Sequence, residues 1–167
     1  MVSADPAEWK ITFDGVGPLA LQGSLAEQVP LTGPGYEAAS PGSCPNPAIT
    51  ILKSHSNPTI WLEASADAPD AIRLIAVGGD VPGDPREIGS PKTQEGISVG
   101  SSLAKLLAEY PTGHLEKDSQ SKPIRLVVAG SLTSGARGFL IFDLFDGATV
   151  QTILVQPNSD PVHEFCG

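Results

Sequence analysis

The chain has 167 residues, 40% of them apolar, which is enough for an ordinary domain with a buried core. Its net charge is −9, and its few basic residues are scattered. Proteins that bind nucleic acid or an anionic membrane surface need clustered Lys and Arg, so these functions are excluded. The sequence also lacks an apolar stretch of about 20 residues, so no membrane span is predicted.

The N-terminal part of the chain carries strand signals followed by a helix signal. Residues 9–13 alternate apolar and polar side chains, which predicts a strand. Residues 15–18 (Gly-Val-Gly-Pro) are expected to interrupt it. Ser24 followed by Glu27 has the spacing of a capping box. A short helix is therefore predicted, and we expect Pro30 to end it.

Three short apolar segments predict a meander in the first half of the chain. They cover 49–52, 60–64 and 72–77, and the turns between them are short enough to favour antiparallel pairing. A Gly/Pro-rich loop at 32–47 precedes them. A polar stretch rich in Gly and Pro at 78–95 follows and is predicted to be a linker.

The second half begins with a short extended segment and a longer helix. Residues 97–99 are predicted to form a strand, and either Ser101 or Ser102 to cap a helix that ends near Tyr110 before Pro111. Three leucines of this helix fall at i, i+3 and i+4, which predicts one apolar stripe: Leu103, Leu106 and Leu107.

A second meander is predicted after a polar loop at 112–122. Its strands cover 124–129, 139–145 and 150–155, and the last two are joined by the Asp-Gly hairpin signal at 146–147. Strand 139–145 is apolar on both faces. We therefore expect both faces to be covered, or one of them to be a contact surface.

The two halves resemble each other at a constant offset of 78 positions. The segment GSLAE at 23–27 has a counterpart in SSLAK at 101–105, and WL at 61–62 has one in FL at 139–140. The order of predicted elements is the same in both halves. A shared register across a helix start and a strand indicates an internal duplication.

We therefore predict an α+β fold of two tandem βαβββ repeats, with antiparallel meander sheets each packed by a short helix. The first repeat covers 9–77, the linker 78–95, and the second repeat with a C-terminal tail 96–167. The helix-entry segments at 23–27 and 100–104, with the strands after each, resemble the tandem fold of the secreted beta-lactamase inhibitory proteins. They are also similar to small outer-membrane assembly lipoproteins, which have one such unit. The resemblance implies a fold rather than an activity.

The two cysteines, Cys44 and Cys166, both lie in segments predicted to be loops. Neither belongs to a Cys-x-x-Cys pair, which argues against zinc and thioredoxin chemistry. We predict one disulfide that ties the tail to the first repeat and indicates an oxidising compartment. The first eight residues do not form an intact signal peptide. The predicted location is extracellular or the cell envelope.

Catalytic and metal-binding patterns are absent from the sequence. His55, His114 and His163 lie in predicted turns or tails without the spacing of metal ligands. No Gly-x-Ser-x-Gly nucleophile elbow occurs. Three acidic residues of the linker suggest a calcium loop but do not follow the EF-hand pattern: Asp80, Asp84 and Glu87. We predict no catalytic residue, no metal site and no cofactor.

The aromatic residues offer the remaining candidate site. Trp61 is either a core residue or, on an exposed sheet face, part of a binding patch with Arg73 and Phe139. The predicted function is a secreted or cell-envelope, non-enzymatic binding module for a protein or cell-surface partner. The alternatives are a hydrolase whose site is assembled from loops and a structural domain of a surface assembly.

Overall fold

The structure is a computed structural model that describes residues 2–79, 89–160 and 165–166. Across these residues the chain is mixed α+β, with most of its regular structure in two sheets and with two short α-helices. In chain order the strands are β1 (Lys10–Ile11), β2 (Gly15–Val16), β3 (Leu19–Ala20), β4 (Glu37–Ala38), β5 (Ile49–Lys53), β6 (Ile60–Ala64), β7 (Ile72–Gly78), β8 (Lys92–Thr93), β9 (His114–Lys117), β10 (Pro123–Ser131), β11 (Arg137–Phe145) and β12 (Thr149–Gln156). The helices are α1 (Leu25–Gln28) and α2 (Leu103–Glu109).

The larger sheet contains both predicted meanders, side by side. Its strand order is β4-β5-β6-β7-β12-β11-β10-β9, and every neighbouring pair is antiparallel. The six meander strands predicted from the sequence are all present, and β6 has the predicted bounds. The 146–147 turn is also confirmed, since Asp146 and Gly147 both have positive φ. The edge strands β4 and β9 lie in segments predicted to be loops.

The smaller sheet has the order β3-β2-β1-β8 and corrects three predictions. The segment 15–18 contains β2, and the segment 78–95 contains β8, which pairs in parallel with β1. Residues 97–99 do not form a strand, although Ile97 and Val99 are buried. The reason is local. Thr93 N donates to Ile97 O, so the chain turns here and residues 97–99 do not pair with a neighbouring strand.

Helix α1 is short and depends on its cap. The Ser24 Oγ accepts a hydrogen bond from Glu27 N at 3.2 Å, as the sequence predicts. A 3-10 helix (Val29–Thr32) follows directly. Pro30 therefore does not end the helical segment. It lies in the first turn of the 3-10 helix, where a backbone N–H has no partner within the helix.

Helix α2 has the predicted length and is capped by Ser102, whose Oγ accepts from Lys105 N at 3.2 Å. Its apolar stripe is shifted from the prediction. Leu106 is fully buried, while Leu107 is 36% exposed. Leu103 packs on the core as predicted, and Tyr110 packs there in place of Leu107. The buried face is therefore set by the i, i+3 and i+7 spacing from Leu103.

The main core lies between the larger sheet and the helices. One row of paired residues crosses the sheet on this side: Leu52, Ile60, Val77, Ile153, Phe142, Leu126 and Leu115. All except the partly buried Leu115 are fully buried. We call this side of the larger sheet the inner face. The helix residues Leu25, Leu103 and Leu106 belong to the same cluster.

Two glycines let the N-terminal segment approach the inner face. A Cβ at Gly130 would meet the Phe13 ring at 2.4 Å, and one at Gly138 would meet the Phe13 Cβ at 3.4 Å. Gly130 and Gly138 pair across β10 and β11. Asp14 then accepts hydrogen bonds from the backbone N–H and the hydroxyl of Thr133. These contacts fix the smaller sheet against the end of the larger one.

Candidate functional site

The opposite side of the larger sheet, which we call the outer face, is defined by the pairing register. Side chains of paired residues point to the same face of a sheet. One paired row crosses seven strands on this face: Ile51, Trp61, Ala76, Leu154, Ile141, Val127 and His114. Four residues of this row and Leu74 form a second cluster of buried apolar side chains: Leu74, Ala76, Val127, Ile141 and Leu154.

Trp61 is half-buried on the outer face and packs against this second cluster. Its indole Nε1 donates a hydrogen bond to Gly78 O at 2.9 Å. Phe165 stacks on it, with ring centroids 5.3 Å apart and planes inclined by 12°. The indole is therefore held from two sides, by the end of β7 and by the C-terminal tail.

The other two predicted binding residues, Phe139 and Arg73, lie on different strands. Phe139 is half-buried and packs against the same outer-face cluster as Trp61. The Arg137 guanidinium carbon lies 5.2 Å from the centroid of its ring. Arg73 forms an ion pair with Glu63 at 2.9 Å and keeps 41% of its side chain exposed. Strands β7 and β12 separate Trp61 from Phe139.

A charged group borders the apolar row on the same face. The Arg125 Nε lies 2.9 Å from a carboxylate oxygen of Asp143, and its Nη1 lies 3.4 Å from Glu116. Burial raises the pKa of Asp143, and the hydrogen bond and charge of Arg125 oppose that increase. Arg125 is 15% exposed in its side chain. In the sheet, Arg125 pairs with Asp143 of β11 and with Glu116 of β9, which brings the three side chains together.

The predicted disulfide is present between Cys44 and Cys166. It joins the loop at 39–47 to the tail, directly beside Phe165. A cavity of about 460 Å³ lies next to it, lined by this loop and by β5. Because Ile51 of β5 lies beside Trp61 in the outer-face row, the disulfide stands at the border of that face.

Phe165, Arg125 and Asp143 were not among the predicted site residues. Phe165 had one available signal, since it precedes a cysteine already expected to bond to the first half of the chain. Arg125 and Asp143 had none, because their proximity depends on the β10–β11 register.

Two of the three histidines lie within the described residues. His55 and His114 are exposed, and within the described ranges neither hydrogen-bonds to a serine or a carboxylate. No group of three or more His, Cys, Asp or Glu side chains in the described part of the chain is arranged to hold a metal ion. His163 and the acidic linker residues Asp80, Asp84 and Glu87 lie outside the described residues. Neither helix described is long and apolar enough to cross a bilayer.

Comparisons with protein-family models, curated proteins and solved structures give no match for this chain. The outer face is therefore the feature of the molecule from which a function is inferred.

Proposed function

We propose that the chain is a non-enzymatic binding protein of the extracellular space or cell envelope, and that its outer face binds a protein partner. The observation that carries the proposal is the composition of that face. Trp61 and Phe139 are half-buried there, the Arg137 guanidinium lies over the Phe139 ring, and Arg73 pairs with Glu63 of the strand that carries Trp61. Aromatic and arginine side chains are the types enriched at binding hot spots. Both α-helices pack on the inner face and leave these side chains uncovered by helix.

The location is supported by the disulfide, which is compatible with an oxidising, extracellular compartment. A partner that is a nucleic acid is disfavoured by the net charge of −9.

We further infer that the chain contains two tandem βαβββ units. Supporting this, three backbone hydrogen bonds recur 78 positions apart. Gln22 N to Ile72 O matches Gly100 N to Val150 O. Ile72 N to Gly23 O matches Val150 N to Ser101 O, and Leu25 N to Asp70 O matches Leu103 N to Ala148 O. Hydrogen-bond partners that keep one offset favour equivalent helix entries in both halves. The resemblance to the beta-lactamase inhibitory proteins remains a proposal about fold.

The offset changes in the strands that carry the predicted site. The irregularity in β6–β7 falls between Glu63 and Ala64, and that in β11–β12 between Asp143 and Leu144, which is 80 positions later. Counted from these irregularities, Trp61 corresponds to Ile141. Within the proposed repeats we therefore match Trp61 with Ile141 instead of Phe139, because the hairpin loops differ in length. The outer face has its tryptophan in one half only.

The test replaces Phe139, which lies away from the tail, and leaves Trp61 intact. Immobilised oxidised protein is incubated with the secreted and envelope proteins of its native source, and retained proteins are identified by mass spectrometry. We expect Phe139→Ala to weaken retention of a specific partner about 30-fold, because a hot-spot aromatic contributes about 2 kcal/mol or more.

The matched control is Leu31→Ala. Leu31 is 63% exposed and lies in the 3-10 helix whose neighbouring Val29 packs on the inner-face core. Its retention should equal that of the wild type. Equal retention by both variants, or no retained protein at all, would contradict the proposed function. The hydrolase and structural-domain alternatives stay predictions without a specific observation in their favour.

A further inference from the structure

The stack of Phe165 on Trp61 places a residue of the tail against the outer face. Phe165 is in neither a helix nor a strand. The next residue, Cys166, is bonded to Cys44. Where the tail leaves β12, the Gln156 side-chain amide donates to Asn158 O and Asp160 O, both at 2.8 Å. The disulfide, the ring contact and the packing of Phe165 against the outer-face cluster are the contacts described at the far end of the tail.

The disulfide decides whether this stack persists. The contacts of one half-buried ring, stacking included, give less free energy than ordering a run of several chain residues costs. Without the disulfide, a segment outside helices and strands therefore does not stay ordered on these contacts alone. The covalent bond beside Phe165 confines the ring near Trp61 and gives it a high effective concentration there. Trp61 is occupied as long as the bond between the two sulfurs is intact.

We propose that Phe165 is an internal occupant of an aromatic-binding site at Trp61, and that reduction of the Cys44–Cys166 disulfide releases it. A dithiol reductant supplies two electrons and two protons, becomes a disulfide itself, and leaves Cys44 and Cys166 as thiols. The vacated indole face then accepts an aromatic side chain from an extended segment of a protein partner. The class of ligand follows from the occupant already seated there, a phenylalanine in a non-helical segment. The partner part of this inference rests on the proposed function.

The chain supplies its own internal standard for a test by NMR. It has two tryptophans. Trp61 Nε1 donates to Gly78 O, and Trp9 Nε1 donates to Ser3 O. Trp9 is buried, stacks on Tyr36 and belongs to the inner-face core rather than to the outer face that carries Trp61. Loss of the Phe165 ring current should move the Trp61 indole signal and leave the Trp9 signal in place.

The experiment records both indole signals and acrylamide quenching for the oxidised wild type, the wild type with a dithiol reductant, and oxidised Phe165→Ala. The last variant keeps the disulfide, so it tests the occupant even if reduction unfolds the chain. Each form is then titrated with the peptide acetyl-Ala-Phe-Ala-amide. We expect Trp61 to become more accessible in the reduced and Phe165→Ala forms. Peptide affinity should rise about 2- to 10-fold, the range to which aromatic stacking energies convert.

An unchanged Trp61 signal in Phe165→Ala, or equal peptide affinity in all forms, would overturn the inference. If only the proposed function fails, Phe139→Ala no longer weakens the retention of a partner. The Trp61 signals still change on reduction and in Phe165→Ala.

Discussion

The two faces of the larger sheet are built from the same strands but from different chemistry. The inner face is a continuous layer of aliphatic residues and Phe142 that is sealed by the helices and the smaller sheet. The outer face has a narrower apolar row, half-buried aromatic rings and ion pairs at its border. Alternation along each strand produces both at once. The comparison indicates that the inner face provides most of the stability, and the outer face is the one that we propose for binding.

The largest effect should come from the inner face. Phe142 and Phe139 lie three residues apart on β11 and face opposite sides. Phe142→Ala should lower the free energy of unfolding by about 3 to 5 kcal/mol, because it leaves a cavity in a fully packed site. Phe139→Ala should lower it by less than about half of that, since its ring is only half-buried. Urea denaturation of the oxidised protein measures both.

Equal losses from the two substitutions would show that the outer face is also a core, and would remove the division between the faces. The same strand and the same change of side chain make each variant the control for the other.

A smaller effect is expected at the border of the outer face. Arg125→Met leaves Asp143 without its main partner and should lower the free energy of unfolding by about 1 to 3 kcal/mol at neutral pH. The Asp143 carboxyl is 30% exposed, which favours the lower end.

The pH dependence of Arg125→Met has a definite sign. Without Arg125, burial raises the folded-state pKa of Asp143 further above its ordinary value of 3.8. An acid with a raised folded pKa favours the folded state below its unfolded pKa, and this contribution is lost as the pH rises through the folded pKa. The deficit should therefore shrink on acidification. Melting curves from pH 4 to 8 measure it, with exposed Arg137→Met as the control; a constant deficit would argue against an unpaired carboxylate.

The smallest effect should occur at α1. Hydrogen bonds from the Ser24 hydroxyl and from the Ala26 backbone N–H lower the pKa of Asp70. This contribution is present above pH 3.8 and is lost as the pH falls through the lowered folded pKa. Asp70→Asn should therefore lower the melting temperature slightly at pH 7, and the difference from the wild type should vanish near pH 2.

Asp67→Asn, an exposed acid in the same turn, is the control for this experiment. A deficit that stays constant with pH would assign Asp70 a purely steric role.

The meanders could be predicted because their signals are local. The segments 60–64 and 72–77 carry uninterrupted strand residues between turn residues, and the turn at 146–147 needs only its own two residues. The caps at Ser24 and Ser102 are equally local, since the bonded N–H lies three residues away. The disulfide could be predicted because only two cysteines exist to form it.

Three of the two-residue strands, β2, β4 and β8, could not be predicted in this way. Strand β8 exists because β1 lies beside it, and β2 forms in a Gly-rich segment that would otherwise be a turn. The exposure of Leu107 depends on how α2 rolls on the sheet, which its own sequence leaves open between two stripes.

The sequence by itself determined the class of the fold, the caps, the meander strands and the residue types available for a site, because each depends on residues close together in the chain. Only the tertiary structure decided which of those residues meet. Trp61 contacts Phe165 across more than 100 positions, and Arg125 meets Asp143 through a strand register. The physical reason is that a register is chosen by the burial of a whole face. The same pairing places two strands, β7 and β12, between Trp61 and Phe139, which the sequence had suggested as one patch.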